Sequence, residues 1–140
     1  PLIAPNRKVN TRDSQKISLG KLIKTALRLN PDRLIVGEIR DFEAASAFIT
    51  AINTGHSGCF STIHANDPND ALIRMESLIS EKGLSLEFCK QQVISNIDLI
   101  IQLKKVYDFG RVITHISKVE NNKITSLWEF NLHSLTHMKI

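Results

Sequence analysis

The chain has 140 residues, of which 42% are hydrophobic and 23% charged, a composition typical of one soluble globular domain rather than a disordered chain. Two cysteines, Cys59 and Cys89, are too few for a disulfide scaffold, so they predict a reducing, cytosolic compartment and small apolar core side chains. No apolar run approaches the roughly 20 residues of a membrane helix. The first 30 residues contain no apolar signal-peptide core.

The net charge of +4 is unevenly distributed along the chain. Residues 1–30 hold seven lysines and arginines against one aspartate, whereas the other 110 residues carry a net charge of −2. The basic residues 7–28 can face phosphates, an anionic membrane surface or an acidic neighbouring subunit. They also fit a simpler interpretation, a solvated helix face next to a basic loop.

The first elements are a loop, a helix, a strand and a second helix. Residues 1–17 lack periodicity and predict a loop, and Ser18 then fits the N-cap of a helix that ends at Asn30-Pro31. The apolar residues of this helix recur at helical spacing: Leu19, Leu22, Ile23, Ala26 and Leu27. Residues 34–36 predict a short buried strand that ends at Gly37-Glu38. Asp41 fits the N-cap of a second helix over about 42–53.

The middle of the chain continues the alternation. Residues 59–64 predict a second buried strand, and Asp67-Pro68 begins a helix because a capping residue precedes a proline at the first helical position. Gly83 ends that helix, and Ser85 begins another that reaches about residue 97. Residues 99–101 predict a third apolar strand.

The end of the chain differs from the rest. Residues 111–119 and 124–130 predict two strands joined by a turn at 120–123, and residues 131–140 predict a poorly defined tail. Strands that alternate with helices predict an α/β fold, a mostly parallel sheet flanked by helices, here with a terminal antiparallel β-ribbon. Ligands of such sheets bind at the carboxyl ends of the strands, where Glu38 and His64 lie.

Glu38 is the first candidate for chemistry. A carboxylate that leaves an apolar strand can orient water, act as a general base or hold a metal ion through water. Gly37 allows a ligand or backbone to approach closely. The simpler alternative is a solvated glutamate that pairs with Arg40.

Two histidines form a second candidate group. Thr54, Gly55 and Gly58 surround His56 at a turn, and His64 ends the following strand. Histidine donates hydrogen bonds to phosphoryl oxygens and titrates near neutral pH. It can equally bond a neighbouring carbonyl and serve structure alone.

A zinc site and a cysteine nucleophile are both disfavoured. Strand alternation puts Cys59 and His64 on opposite faces, about 16 Å apart in an extended strand, which is far beyond the reach of one metal ion. No fourth ligand stands at conventional spacing from His56. The sequence therefore predicts no zinc site.

Arginines and aromatic residues complete the candidates. Arg74 can reach a phosphate, or it can form a surface ion pair on its helix. Tyr107 and Trp128 are isolated aromatic residues and offer no base-stacking platform, so the sequence does not favour nucleic-acid binding.

Three segments together resemble one protein family. Residues 29–40 (LNPDRLIVGEIR) resemble the Walker B segment of the secretion ATPase superfamily, the hexameric motors of type II and type IV secretion and of type IV and tight-adherence pili. Residues 53–58 (NTGHSG) with 61–66 (STIHAN) are similar to the family's histidine box. Residues 71–76 resemble the helix that follows it, and the resemblance is dense over residues 18–80.

The resemblance implies roles for individual residues. Gly37 matches the glycine that replaces the usual Walker B aspartate, and Glu38 matches the glutamate that acts on the hydrolytic water and the Mg²⁺ shell. His64 matches a sensor near the γ-phosphate. The resemblance also implies the cofactors ATP and Mg²⁺ and a set of residues that shape or support the nucleotide site: Arg40, Thr54, Gly55, His56, Gly58 and Arg74.

The resemblance further implies an assembly and a location. The complete protein would be a homo-hexamer at the cytoplasmic face of the cell membrane. Its partners would be inner-membrane components of a secretion or pilus system, and the basic residues 7–28 could contact the membrane surface.

One family feature is missing from these 140 residues. The phosphate loop G-x-x-x-x-G-K-[ST] is absent, because the only Gly-Lys pair, Gly20-Lys21, lies inside a predicted helix without the upstream glycine. The resemblance therefore implies the C-terminal half of a RecA-like P-loop ATPase domain, with a loop at 1–17, a partial core at 18–104 and a ribbon and tail at 105–140. The chain alone is expected to be inactive. A non-catalytic interaction or regulatory module that retains the fold is the alternative.

Overall fold

A computed structural model describes residues 17–107, 109–131 and 136–139, the last four through their backbone. Most of the predicted N-terminal loop therefore lies outside the described residues. The chain divides into two compact units. The first unit comprises the residues up to Ile63 together with Leu78–Leu84, and the second comprises His64–Ser77 and the residues from Ser85 onward.

Two capped helices form much of the first unit. Helix α1 spans Leu19–Leu27 and helix α2 spans Phe42–Asn53. The predicted N-caps are confirmed, since Ser18 Oγ accepts a hydrogen bond from the Lys21 amide at 3.3 Å and Asp41 Oδ1 accepts one from the Ala44 amide at 2.9 Å.

The two helices of the first unit pack closely at Gly20. A Cβ atom added to Gly20 would lie 2.6 Å from the carbonyl oxygen of Glu43, so only glycine fits this crossing. The sequence showed Gly20 only as an isolated glycine inside a helix. Its packing role depends on a helix that begins more than twenty residues later.

A two-stranded parallel sheet completes the first unit. Strand β1 (Ile35–Val36) pairs with strand β2 (Phe60–Ser61), and Ile35 stands opposite Phe60. Both strands are shorter than predicted, and the prediction that they are buried was wrong, because Ile35 is 76% exposed and Phe60 is 56% exposed. Exposure alternates from Phe60 to His64. The core of this unit consists of apolar residues from α1, from β1 and the residues that flank it, from α2 and from the segment 78–84: Ile23, Leu34, Val36, Ile39, Ala44, Ala45, Ala47, Phe48, Ile49, Ala51, Leu78 and Ile79.

Helix α3 spans Pro68–Ser80, and helix α4 spans Leu86–Ile94. The predicted start of α3 is confirmed, because Asp67 Oδ1 accepts a hydrogen bond from the Asp70 amide at 2.9 Å. Ser85 caps α4 through the Phe88 amide at 3.3 Å. Helix α4 ends three residues earlier than predicted, at Ile94.

The second unit contains a four-stranded antiparallel sheet in the order β3-β4-β5-β6. The strands span Leu99–Val106, Gly110–Glu120, Lys123–Asn131 and Thr136–Lys139. Strands β4 and β5 are joined by Asn121 and Asn122, whose φ angles of 51° and 61° are the left-handed values of a tight hairpin turn. The predicted ribbon is thus part of a larger sheet.

Three details differ from the sequence predictions. Residues 99–101 were expected to extend the parallel sheet, but they lie in β3, which pairs antiparallel with β4; an apolar run predicts a strand without specifying its neighbour. Residues 136–139 of the predicted tail form β6, because the edge of β5 offers main-chain partners. Cys89 is buried as predicted, whereas Cys59 is only half-buried.

None of the helices among the described residues is long and apolar enough to cross a membrane.

Candidate functional site

Glu38 is the second residue after β1, at the carboxyl end of the parallel strand pair. The residues on either side of it are both bonded to Thr62. The Thr62 hydroxyl donates to the carbonyl oxygen of Gly37 at 2.6 Å, and the Ile39 amide donates to the carbonyl oxygen of Thr62 at 2.9 Å. The backbone that carries Glu38 is therefore tied to the segment that follows β2.

The carboxylate of Glu38 pairs with Arg40. Arg40 Nη2 lies 2.5 Å from Glu38 Oε2. The side chain of Glu38 is 22% exposed and that of Arg40 is 70% exposed, so the arginine covers the carboxylate from the solvent side. The hydrogen bond that Arg40 donates to Glu38, followed by the charge of Glu38, raises the pKa of the Arg40 guanidinium. Arg40 is thus a charged partner of the carboxylate.

The turn at residues 54–58 lies at the other edge of this sheet. Because β1 and β2 are parallel, residues that precede β2 lie at the amino ends of the strands, away from Glu38. Thr54 caps the end of α2 through bonds from its hydroxyl to the Thr50 and Ala51 carbonyls, and Gly55 and Gly58 have φ angles of +95° and +72°. These residues end the helix and start the strand, and their assignment to a nucleotide site stays a prediction.

His56 occupies the interior of this turn. Its carbonyl oxygen accepts a hydrogen bond from the Cys59 thiol at 3.0 Å. Its Nδ1 atom is buried and has no hydrogen-bond partner among the residues that the structure describes. Arg33 passes beside the same turn, with Nε 3.7 Å from the position of a Cβ added to Gly58.

His64 is exposed and begins the second unit. The residue after it is fixed, because the Gln102 side-chain amide on β3 donates to the carbonyl oxygen of Ala65 at 3.1 Å. The chain then enters α3 through the Asp67 cap. Arg74 lies exposed on that helix. Glu38 and His64 therefore belong to different compact units, each anchored by its own contacts.

The basic face of α1 is partly neutralised within the first unit. Glu43 on α2 has a lowered pKa, chiefly through a hydrogen bond with the Ser18 side chain and also through the charges of Lys82, Lys21 and Lys24. The Lys82 ammonium also lies 4.6 Å from the centre of the Phe42 ring.

The Glu38 carboxylate can be compared with the ligands that magnesium and zinc require. Across the described ranges, no group of three or more His, Cys, Asp or Glu side chains could enclose a metal ion. Mg²⁺ is commonly held by one or two carboxylates with water and substrate phosphates, so a single carboxylate such as Glu38 fits it. Zinc requires three or four protein ligands.

Sequence reasoning missed Thr62. Strand alternation could have indicated this residue, because it puts Thr62 on the same face of the strand as His64. Thr62 also lies near the predicted carboxyl end of that strand. Its partner Gly37 is 25 residues away, and no local pattern predicts that hydrogen bond.

The sequence of the chain is similar to those of known proteins. A family model described as "Type II/IV secretion system protein" matches residues 3–128. The conjugal transfer protein TrbB of Rhizobium radiobacter is 38% identical over 122 residues, which are 85% of this chain and 36% of TrbB. Protein VirB11 of the same organism is 35% identical over 103 residues, which are 69% of this chain and 30% of VirB11.

Two solved ATPase structures share the fold. The VirB11 ATPase of the Brucella suis type IV secretion system, solved with sulphate, has a TM-score of 0.70 and 22% identity, over 76% of this chain and 33% of that one. The Legionella pneumophila ATPase DotB has a TM-score of 0.62 and 24% identity, over 76% of this chain and 29% of that one.

The chain thus shares the α/β fold of these two proteins. The chain belongs to the type II/IV secretion system protein family. It spans about a third of the length of the relatives that it matches.

Proposed function

We propose that the chain is the C-terminal part of a hexameric ATPase that powers secretion or pilus assembly through hydrolysis of Mg²⁺-ATP. The observation that carries the proposal is the position of Glu38. In this member of the family, Glu38 lies just beyond the end of a parallel strand, and the Thr62 hydroxyl holds the carbonyl of the preceding residue. The carboxyl edge of such a sheet is where ligands bind.

Each proposed role follows from the chemistry of one side chain. Glu38 would orient the attacking water and accept hydrogen bonds from the water shell of Mg²⁺, which neutralises phosphate charge when bound. His64 would donate a hydrogen bond to the γ-phosphate. Arg40 would keep the Glu38 carboxylate in place. Phosphoryl transfer depends mainly on positioning and on charge stabilisation, which these groups can supply.

The remaining residues and partners are proposed from the family resemblance. Thr54, Gly55, His56, Gly58 and Arg74 would support the nucleotide site, as the family resemblance implies. The complete hexamer would work at the cytoplasmic face of the membrane with inner-membrane components of its system. The basic residues 7–28 would contribute to that contact, although Glu43 already offsets part of the charge on α1.

A second candidate function is supported by the missing phosphate loop. Without a Gly-Lys-[Ser/Thr] sequence, these 140 residues carry no backbone cradle and no lysine for the β- and γ-phosphates. The chain as it stands could serve as a non-catalytic interaction or regulatory module that retains the fold.

A comparison of two polypeptides separates these functions. We expect no ATP turnover from the 140-residue chain and magnesium-dependent hydrolysis from an extended polypeptide that also carries a phosphate loop. Phosphate release with and without EDTA measures both. Turnover by the 140-residue chain would show that hydrolysis does not require a phosphate loop. An extended polypeptide that folds but hydrolyses no ATP would favour the non-catalytic module.

Substituting His64 by alanine tests its proposed role. In the extended polypeptide, His64→Ala is expected to lower turnover about 100-fold while the affinity for ADP stays unchanged, because ADP lacks the phosphate that the imidazole would contact. Hydrolysis assays and ADP titration measure the two effects. The matched control is His115→Ala, which removes an imidazole on β4 that faces Glu129 and should preserve turnover. A large drop in melting temperature with unchanged activity of the folded protein would assign His64 to structure alone.

A further inference from the structure

Thr62 holds the peptide units on both sides of Glu38. Its hydroxyl donates to the Gly37 carbonyl at 2.6 Å, and its own carbonyl accepts the Ile39 amide at 2.9 Å. The second bond is of the kind that any residue of a parallel ladder makes. The first requires a side chain with a hydroxyl group at this position.

Gly37 is the residue that most needs such a restraint. A Cβ atom added there would meet nothing within 4 Å, so no neighbouring atom packs against that side of Gly37. Glycine also has more conformational freedom than any other residue, and this glycine immediately precedes Glu38. The Thr62 hydroxyl is therefore a contact that restricts rotation of the Gly37–Glu38 peptide unit.

The backbone after Glu38 has further anchors besides Thr62. The side chain of Ile39 is 1% exposed, and Asp41 anchors the start of α2 through the Ala44 amide. Glu38 thus lies between a buried anchor on one side and an exposed glycine on the other. On the glycine side, the restraint comes from the Thr62 hydroxyl.

We propose that Thr62 is a positioning residue that fixes the direction of the Glu38 side chain by holding the Gly37 carbonyl. The proposal rests on the proposed ATPase function, in which Glu38 orients a water molecule. A displacement of about 1 Å in a catalytic group can cost a factor of 100 in rate, so a single restraint on a glycine affects chemistry strongly.

Two substitutions separate the hydroxyl from the rest of the side chain. Thr62→Val keeps the branched shape and removes the donor, and Thr62→Ser keeps the donor and removes a methyl group. Thr62 is exposed, so neither change opens a cavity. Thr25→Val is a matched control, since the Thr25 hydroxyl donates to the Lys21 carbonyl at 3.0 Å on α1, away from Glu38.

The first measurement uses the 140-residue chain and requires no activity. Hydrogen exchange followed by NMR is expected to show that Thr62→Val speeds exchange of the Ile39 amide, which donates to the Thr62 carbonyl, about fivefold, because loss of the hydroxyl bond loosens this pairing. Thr62→Ser and Thr25→Val should leave this amide at the wild-type rate. Unchanged exchange in Thr62→Val would overturn the proposal, whatever the function of the protein.

The second measurement uses the extended polypeptide. Thr62→Val is expected to lower kcat at least about tenfold with KM for ATP unchanged, and Thr62→Ser should restore most of kcat. If Thr62 only supported the fold, its loss would not lower kcat while leaving KM unchanged. Wild-type kcat in Thr62→Val, or equal loss in the serine variant, would overturn the proposal. An inactive wild-type polypeptide would instead contradict the proposed function, and the exchange measurement would still decide the role of Thr62.

Discussion

Replacing Glu38 by glutamine in the extended polypeptide is expected to lower the rate of ATP hydrolysis at least about 100-fold. Glutamine keeps the length and shape of the side chain but loses the charge that, in the proposed function, orients water and supports the metal shell. ATP binding should survive, because the phosphate loop and not Glu38 holds the phosphates. Steady-state phosphate release and titration with a fluorescent nucleotide measure hydrolysis and binding separately.

The control for this substitution is Glu81→Gln. Glu81 is exposed in the same compact unit, so its variant tests whether loss of a negative charge alone changes the rate. We expect wild-type hydrolysis from it. If Glu38→Gln also hydrolyses ATP at nearly the wild-type rate, Glu38 takes no part in the reaction and the proposed mechanism is wrong.

Replacing Gly20 by alanine is expected to destabilise the first unit by about 2 kcal/mol or more. Alanine is favoured over glycine in a helix by about 1 kcal/mol. Here its Cβ atom would lie 2.6 Å from the Glu43 carbonyl oxygen and 2.7 Å from the carbonyl carbon, so α1 and α2 must separate. The melting temperature should fall by roughly 5–10 °C, as measured by circular dichroism or calorimetry.

Gly37→Ala is the matched control for Gly20→Ala. A Cβ atom at Gly37 meets no atom within 4 Å, and its φ lies outside the left-handed region, so this variant should melt within about 2 °C of wild type. Equal melting temperatures for Gly20→Ala and wild type would show that the helices can move apart without loss of stability.

Local features of the fold could be predicted from the sequence. Ser18, Asp41 and Ser85 were identified as caps because a cap bonds to an amide only three residues further on. The acid at the end of β1 was found for a similar reason, since an apolar run followed by Gly37-Glu38 marks a strand and its carboxyl end within five residues.

Long-range features could not be predicted in this way. Residues 99–101 were correctly expected to form a strand, but their pairing with β4 depends on residues 116–118. Strand β6 has no apolar periodicity, and it exists because β5 offers an open edge. The bond between Thr62 and Gly37 and the packing of Gly20 on Glu43 likewise join residues more than twenty positions apart. The spacing of residues within one segment does not predict partners that lie so far away in the sequence.

The position of β3 at the edge of its sheet has a consequence for self-association. Leu99, Ile101 and Leu103 are about half exposed on this outer strand, and open apolar edges of this kind recruit further strands. Lys104 and Lys105 follow on the same strand, so two positive charges interrupt the edge. A strand of a second molecule can therefore pair only with the residues of β3 that precede Lys104. A ladder of this length is too short to sustain the growth of a fibril.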